Sequence, residues 1–360
     1  MTTPPSRPPT HAAASWAMAL GTGLGLTVLG ACADDAPDHP PTLHSLTFDT
    51  LFEIGAATGQ PWEVFEGIWD IEADADGRLA VLDLGGPVIH VFRADGTHVG
   101  SIDETGLDAG QLDGPAAIAW SEPGVLLVWD PGSSWVSRFS ARASGLEYID
   151  RWRAFAFGET GFCAAGDRTY LSYWQDGQVI HEVGAEGIQR SFGAAPHVAG
   201  SEALGPDLLE IAVEELTPSA LLCTSEGIVD VGFVQSISRM HDWNGSEIWT
   251  SQLDDFRPVM AYSDDGIGLG RAFDEAGSHL LRSVVPWGPS MVLVQHELRT
   301  REIPDDEDAE VFESRLLSLV DGSELDRSTG LPLALAAEGQ HLYLVRNEPF
   351  PMVTVVQVRF

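Results

Sequence analysis

Two stretches of this chain, IEADADGRLAVLDLGGPVIHVF at 71–92 and IAWSEPGVLLVWDPGSSWVSRF at 118–139, match in one ungapped register 47 residues apart. Ile71 falls on Ile118, Gly77 on Gly124, Leu79 on Leu126 and Val81 on Val128, and Asp83, Gly85 and Phe92 fall on Asp130, Gly132 and Phe139. A period in the forties belongs either to propeller blades or to helical repeats. The punctuation decides between them. Short apolar runs such as Leu79 to Asp83 and Val88 to Phe92 lie between Gly, Pro, Asp and Asn turns, which is the pattern of strands and hairpins.

Later stretches keep the rhythm of four short strands. A third unit is expected at about Gly158 to Phe192, around the turn Asp176-Gly177, and a fourth over Ala220 to Thr250. HLLRSVVPW, MVLVQHEL and SRLLSLV supply a fifth; LPLALAA, HLYLVR and VTVVQVRF supply three strands of a sixth. An open ring would leave strand edges unpaired, and the spare strand Thr47 to Ile54 can complete the last unit. The expected fold is all-β: a six-bladed β-propeller closed by an N-terminal strand joining the C-terminal blade. Two inserts, Ala194 to Thr217 and Ser251 to Gly277, interrupt the rhythm, and LGPDLLEIAVEEL in the first has the pattern of a short amphipathic helix capping a blade. The series DADGRLAVLD, IHVFRADGTHVGSI and TGLDAGQLDGPAAIAW resembles the NHL-type repeat of six-bladed propellers, and the closing PFPMVTVVQVRF is similar to the end of bacterial six-bladed propeller lipoproteins. That resemblance covers residues 66–152 specifically and the rest loosely.

The first residues have another character. AMALGTGLGLTVLGA, residues 17–31, is apolar and uncharged, shorter than the roughly 20 residues a spanning helix needs, and is closed by small residues. Leu29, Gly30, Ala31 and Cys32 then resemble the lipobox of bacterial lipoproteins. The resemblance implies a signal peptide over 1–31, an acylated Cys32 (palmitate) at the mature N-terminus, a tether over 32–42 and the propeller over 43–360. A single Arg7 in a proline-rich start departs from the usual basic leader. Because Ala33 rather than Asp follows Cys32, the resemblance implies a cell-envelope protein held to the outer membrane where the source has two membranes. The lipid would be the only membrane attachment.

Several candidate sites follow from side-chain chemistry. Glu72, Asp74, Asp76, Gly77 and Asp83 fall at positions of an EF-hand-like calcium loop, but no helices flank them and the counterpart AWSEPGVLLVWD loses the carboxylates. We read the segment as the hairpin turn Ala75-Asp76-Gly77, and expect no metal or other cofactor. Asp83 and Asp130, repeated at the ends of equivalent strands, are expected to accept backbone N–H groups. The run 304–310, PDDEDAE, reads as a solvated loop. His90, His181 and His296 have no zinc spacing and read as hydrogen-bonded sheet residues. Cys163 and Cys223 occupy first strands of adjacent blades, where they are either bridged or two buried free thiols; the divergence of neighbouring inner strands weighs against the bridge.

A formal charge of −35 with no lysine excludes nucleic acid as a partner and Schiff-base chemistry as an activity. The expected innermost strands, GIWDIEA, AAIAW, GFCAA, ALLCT and LALAA, offer the channel little beyond Asp70 and Glu72. A monomeric binding or scaffold lipoprotein for a protein or glycan partner is therefore the leading expectation. The alternative is a metal-dependent lactone hydrolase or a lyase working in the channel.

Overall fold

The fold is given by a computed structural model that describes residues 42–359 except 87, 143, 157–160, 264–267 and 300–311. Cys32, the apolar run before it, the tether as far as residue 41 and the acidic run 304–310 lie outside the described residues.

Alternation with period two builds every blade. In LAVLD, Leu79 and Val81 point to one side and Ala80 and Leu82 to the other, and all five residues are buried. A strand buried on both faces must sit between two layers. Here the layers are neighbouring blades.

Strand β1 (Thr47–Ile54) comes first in the chain but belongs to the last sheet. Blade one follows with β2 (Ile68–Ala73), β3 (Leu79–Asp83), β4 (Val88–Phe92) and β5 (His98–Ile102). Blade two holds β6 (Ala117–Glu122), β7 (Val125–Asp130), β8 (Trp135–Arg142) and β9 (Gly145–Arg153). Blade three holds β10 (Gly161–Ala165), β11 (Arg168–Gln175), β12 (Gln178–Gly184) and β13 (Gly187–Ala194); helix α1 (Pro206–Leu216) comes next. Blade four is β14 (Ser219–Cys223), β15 (Gly227–Gly232), β16 (Ser238–Asp242) and β17 (Glu247–Ser251). A small hairpin, β18 (Met260–Tyr262) with β19 (Gly270–Ala272), precedes blade five, which is β20 (Ser278–Pro286), β21 (Met291–Arg299), β22 (Phe312–Ser318) and β23 (Glu324–Thr329). Blade six is β24 (Ala334–Glu338), β25 (His341–Arg346) and β26 (Met352–Arg359), with β1 as its outer strand.

Each blade is an antiparallel meander whose innermost strand lies against that of the next, and β24 lies against β2, closing a ring of six. Closure uses the predicted strand: Thr47 pairs with Arg359 and Ile54 with Val353. The apolar interior is divided into six wedges, one at each blade–blade interface. Leu82, Ile89, Ile118 and Leu126 fill the first, and Leu79, Val81, Val353 and Val355 the one that seals the ring. Each fully buried Leu, Ile or Val side chain contributes about 1.5–3 kcal/mol.

The meander gives the disc two distinct faces. Innermost strands begin on what we call the upper face, which carries every blade-to-blade linker and every turn between second and third strands; the lower face carries the remaining turns. Both inserts are linkers, so both rise from the upper face. They pack on each other. Ala212 and Leu216 of α1 meet Val198 and Ala261, Ala261 N–H donates to the Ala199 carbonyl at 2.8 Å, and Arg271 pairs with Glu215 at 3.0 Å. The predicted helix is present, and the second insert, for which no element was predicted, joins it in one cap.

Candidate binding face and channel

The channel was expected to hold Asp70 and Glu72, and the two residues lie on β2 with the same facing. Asp70 accepts N–H bonds from Ile71 and from Ile118 of blade two, both at 2.9 Å. Burial nevertheless raises its carboxyl to about 7 against the pull of those amides. Burial, and then the charge of Asp70, drives Glu72 well above the usual carboxylate range. A carboxyl that keeps its proton near neutrality can act as a general acid. The neighbouring strands bring little to meet it. GFCAA of β10 and SALLC of β14 have no carboxylate or imidazole, and those of β6 and β24 come only at their last residues, Glu122 and Glu338. His279 of β20 is engaged elsewhere, stacked on Phe256 and accepting the Arg257 N–H. Among the described residues no three His, Cys, Asp or Glu side chains are placed to hold a metal ion.

The calcium-like loop is resolved by its hydrogen bonds. Asp74 is buried and takes the N–H groups of Asp76 (3.0 Å) and Arg78 (2.9 Å), the Arg78 Nε (2.7 Å) and, across the interface, the N–H of Gly124 (3.0 Å). Gly124 adopts φ +79°, a left-handed conformation suited to glycine. Asp76 instead pairs with Arg78, and Asp83 turns to the N–H groups of Glu66 and Gly67. The carboxylates diverge. The segment is a hairpin turn, and its Asp74 ties the first hairpin of blade one to that of blade two.

Asp130 accepts from Asp113 and Gly114, matching the role of Asp83. Cys163 on β10 and Cys223 on β14 are bonded through sulfur, with Cα atoms 5.6 Å apart. The argument from divergent inner strands overlooked Gly161, where a Cβ would stand 2.0 Å from the Ser219 carbonyl oxygen. Without that side chain the two strands approach closely, and Ser172 and Ser219 hydroxyls meet at 2.8 Å. His181 is hydrogen-bonded at both ring nitrogens, to Ser191 and to the Tyr173 carbonyl. His296 departs from expectation: it is fully buried, neither nitrogen is hydrogen-bonded among the described residues, and desolvation pushes it down to about 3.

The faces differ in what they expose. On the upper face stand Trp69 at the start of β2, Leu84 in a turn, Leu107 and Phe155 in linkers, Leu209 and Ile211 on α1, and Met260 and Tyr262 on β18. The lower face exposes fewer: Val320 in the β22–β23 turn, and Ile188, Ile248 and Leu325 at the second positions of the outer strands that begin there. Each residue alone is ordinary on a protein surface; their greater number on the upper face distinguishes that face. Sequence reasoning missed this asymmetry, although the fixed alternation of turns and linkers in a meander carried the signal.

No family model matches the chain, and no curated protein matches it. Among solved structures it is similar to a member of the duf4221 family from Bacteroides vulgatus, at 8% identity and a TM-score of 0.54, over 87% of this chain and 98% of that one. It is also similar to a protein taken to be exported from Bacteroides fragilis, at 8% identity and a TM-score of 0.52, over 89% of this chain and 98% of that one. At such identities the likeness is one of fold.

Proposed function

We propose that this chain is a binding or scaffold propeller, held to a membrane through an acylated Cys32, that engages a protein or glycan through its upper face. The concentration of exposed apolar side chains on the face that also carries both inserts is the observation behind this reading. Loops on a rigid disc are where such scaffolds place recognition, and aromatic side chains provide contact area at low entropic cost. The net charge favours neutral or cationic partners. Lipid attachment rests on the series Leu29, Gly30, Ala31, Cys32.

The test is photo-crosslinking in the native envelope from probes at Trp69, Tyr262 and Val320. Discrete adducts from the two upper-face positions and none from Val320 support the reading; equal yields from all three refute it. Cys32→Ser should move the protein from the membrane to the soluble fraction, and a variant as firmly membrane-bound as the parent refutes the anchor. The protonated carboxyl of Asp70 favours a second reading, a lactone hydrolase or lyase in the channel. Lactone turnover that requires a divalent ion and disappears in Asp70→Ala would establish it.

A further inference from the structure

Blade one contains a cavity of about 550 Å³ between the linker entering β2 and the upper ends of β4 and β5. Its deepest polar group is His90, 4% exposed, whose Nδ1 lies 2.7 Å from the Ser101 hydroxyl. The same hydroxyl lies 3.0 Å from Nε2 of His98. Three residues apart, His98 and Ser101 would face opposite ways on a regular strand. The register shift opposite Val91 and Phe92 inserts Val99 as an extra residue and brings them together. Trp62, on the one-turn helix Pro61–Glu63, lies flat against His98 at 4.4 Å and fixes the ring.

Blade three provides an internal comparison. VIH recurs there as Val179, Ile180 and His181, and His181 Nδ1 meets Ser191 at 2.8 Å just as His90 meets Ser101. In that blade the site is sealed: the Tyr173 ring stacks on the imidazole at 4.0 Å and its carbonyl bonds Nε2 at 2.9 Å. The position corresponding to Tyr173 in blade one is Asp83, each lying two residues beyond the cross-strand partner of its histidine. Asp83 turns away to backbone amides. His90 Nε2 therefore has no hydrogen-bond partner among the described residues and lines the open cavity.

The hydrogen-bond chain sets what that nitrogen offers. With the His98 proton on Nδ1, Nε2 is left to accept from Ser101. Ser101 then accepts from His90 Nδ1–H, and His90 Nε2 presents a lone pair. Burial holds both rings neutral, His90 with a pKa near 4. Glu66 and Asp103 also line the cavity, and neither carboxylate has a hydrogen bond or ion pair among the described residues. Glu66 lies across the turn because residue 85 is glycine; a Cβ there would stand 2.1 Å from its own Cβ. No arginine lines the space. The wall thus presents acceptors with an apolar flank, in a protein whose field repels anions.

We propose that this cavity binds a primary organic ammonium ion, its N–H groups donating to His90 Nε2, Glu66 and Asp103 and its apolar body resting against Trp62 and Val88. The site does not depend on the upper face having a macromolecular partner. Calorimetric titration of the full chain with 2-phenylethylammonium tests it, with 2-phenylethanol as the isosteric neutral probe. Expected are a Kd of about 1 mM or tighter for the ammonium and affinity about tenfold weaker for the alcohol. Glu66→Gln with Asp103→Asn should weaken ammonium binding about tenfold while leaving the alcohol unchanged, and Glu182→Gln in blade three should change neither. Equal affinity for the two probes in the parent chain overturns the proposal without any variant. So does an ammonium affinity unaffected by the double substitution, or heat of binding absent for the ammonium.

Discussion

Asp74→Ala should be among the most damaging single substitutions outside the apolar wedges. The carboxylate gathers four donors, and only some can be rescued by solvent. The Asp76 and Arg78 N–H groups lie in an exposed turn, where water can replace the lost acceptor at about 0.5–1 kcal/mol each. The Gly124 N–H is buried at the blade interface and loses its partner outright, about 1–3 kcal/mol. Arg78 Nε adds about 1 kcal/mol as a partly buried pair. Together these give about 3–6 kcal/mol, comparable with breaking a buried ion pair. Asp76→Ala removes one exposed contact and should cost under about 1 kcal/mol. Equilibrium urea unfolding followed by tryptophan fluorescence measures both, with and without chelator. A large loss in Asp74→Ala, a small one in Asp76→Ala and no effect of chelator are expected. If the two substitutions cost the same and chelator destabilises the parent, the segment is a calcium loop and the interblade account is wrong.

Deleting Thr47–Ile54 should expose the whole edge of β26 and lower the midpoint of a single unfolding transition; an unchanged melt would refute ring closure as the source of cooperativity. Asp70 binds its proton in the folded state up to about pH 7, whereas the unfolded chain releases it near 3.8. Stability should therefore fall as pH rises between those values, with Glu72 adding in the same direction, and Asp70→Asn should flatten the slope in urea midpoints measured across pH. Replacing Cys163 and Cys223 together by serine frees a loop with a sequence separation of 60, and chain entropy puts the loss at about 4 kcal/mol. Unfolding midpoints that match the parent would show that the bridge constrains little.

Blades one and two were legible because Gly77 and Gly124, Asp83 and Asp130, and the apolar positions between them recur at one spacing. The sixth blade was legible because its three C-terminal strands were one short and Thr47 to Ile54 was a strand to spare. Less could be read where contacts depend on register. Strands β18 and β19 have three residues each, too few for alternation to show. The approach of β10 to β14 rests on Gly161, and a lone glycine in an apolar run does not announce which backbone it admits. The cavity of blade one needs a bulge at Val99 and a tryptophan from a separate linker, neither of which sequence spacing expresses. Its one visible trace was VIH at 88–90 and again at 179–181, each followed by a serine ten or eleven residues on.

The pairing of β1 with β26 also sets a schedule. Thr47 is made long before Arg359, so the ring stays open until β26 has been made. Throughout that interval β1 has no partner of its own, and an unpaired strand edge invites the wrong one. Its sequence is suited to waiting: Asp49 and Glu53 punctuate TFDTLFEI, and their counter-charges, Arg359 and Arg346, arrive only with the strands of blade six. Negative charge on this strand opposes premature pairing in a chain where 54 acids outnumber 19 bases, and the arginines that accept it stand where the circle closes.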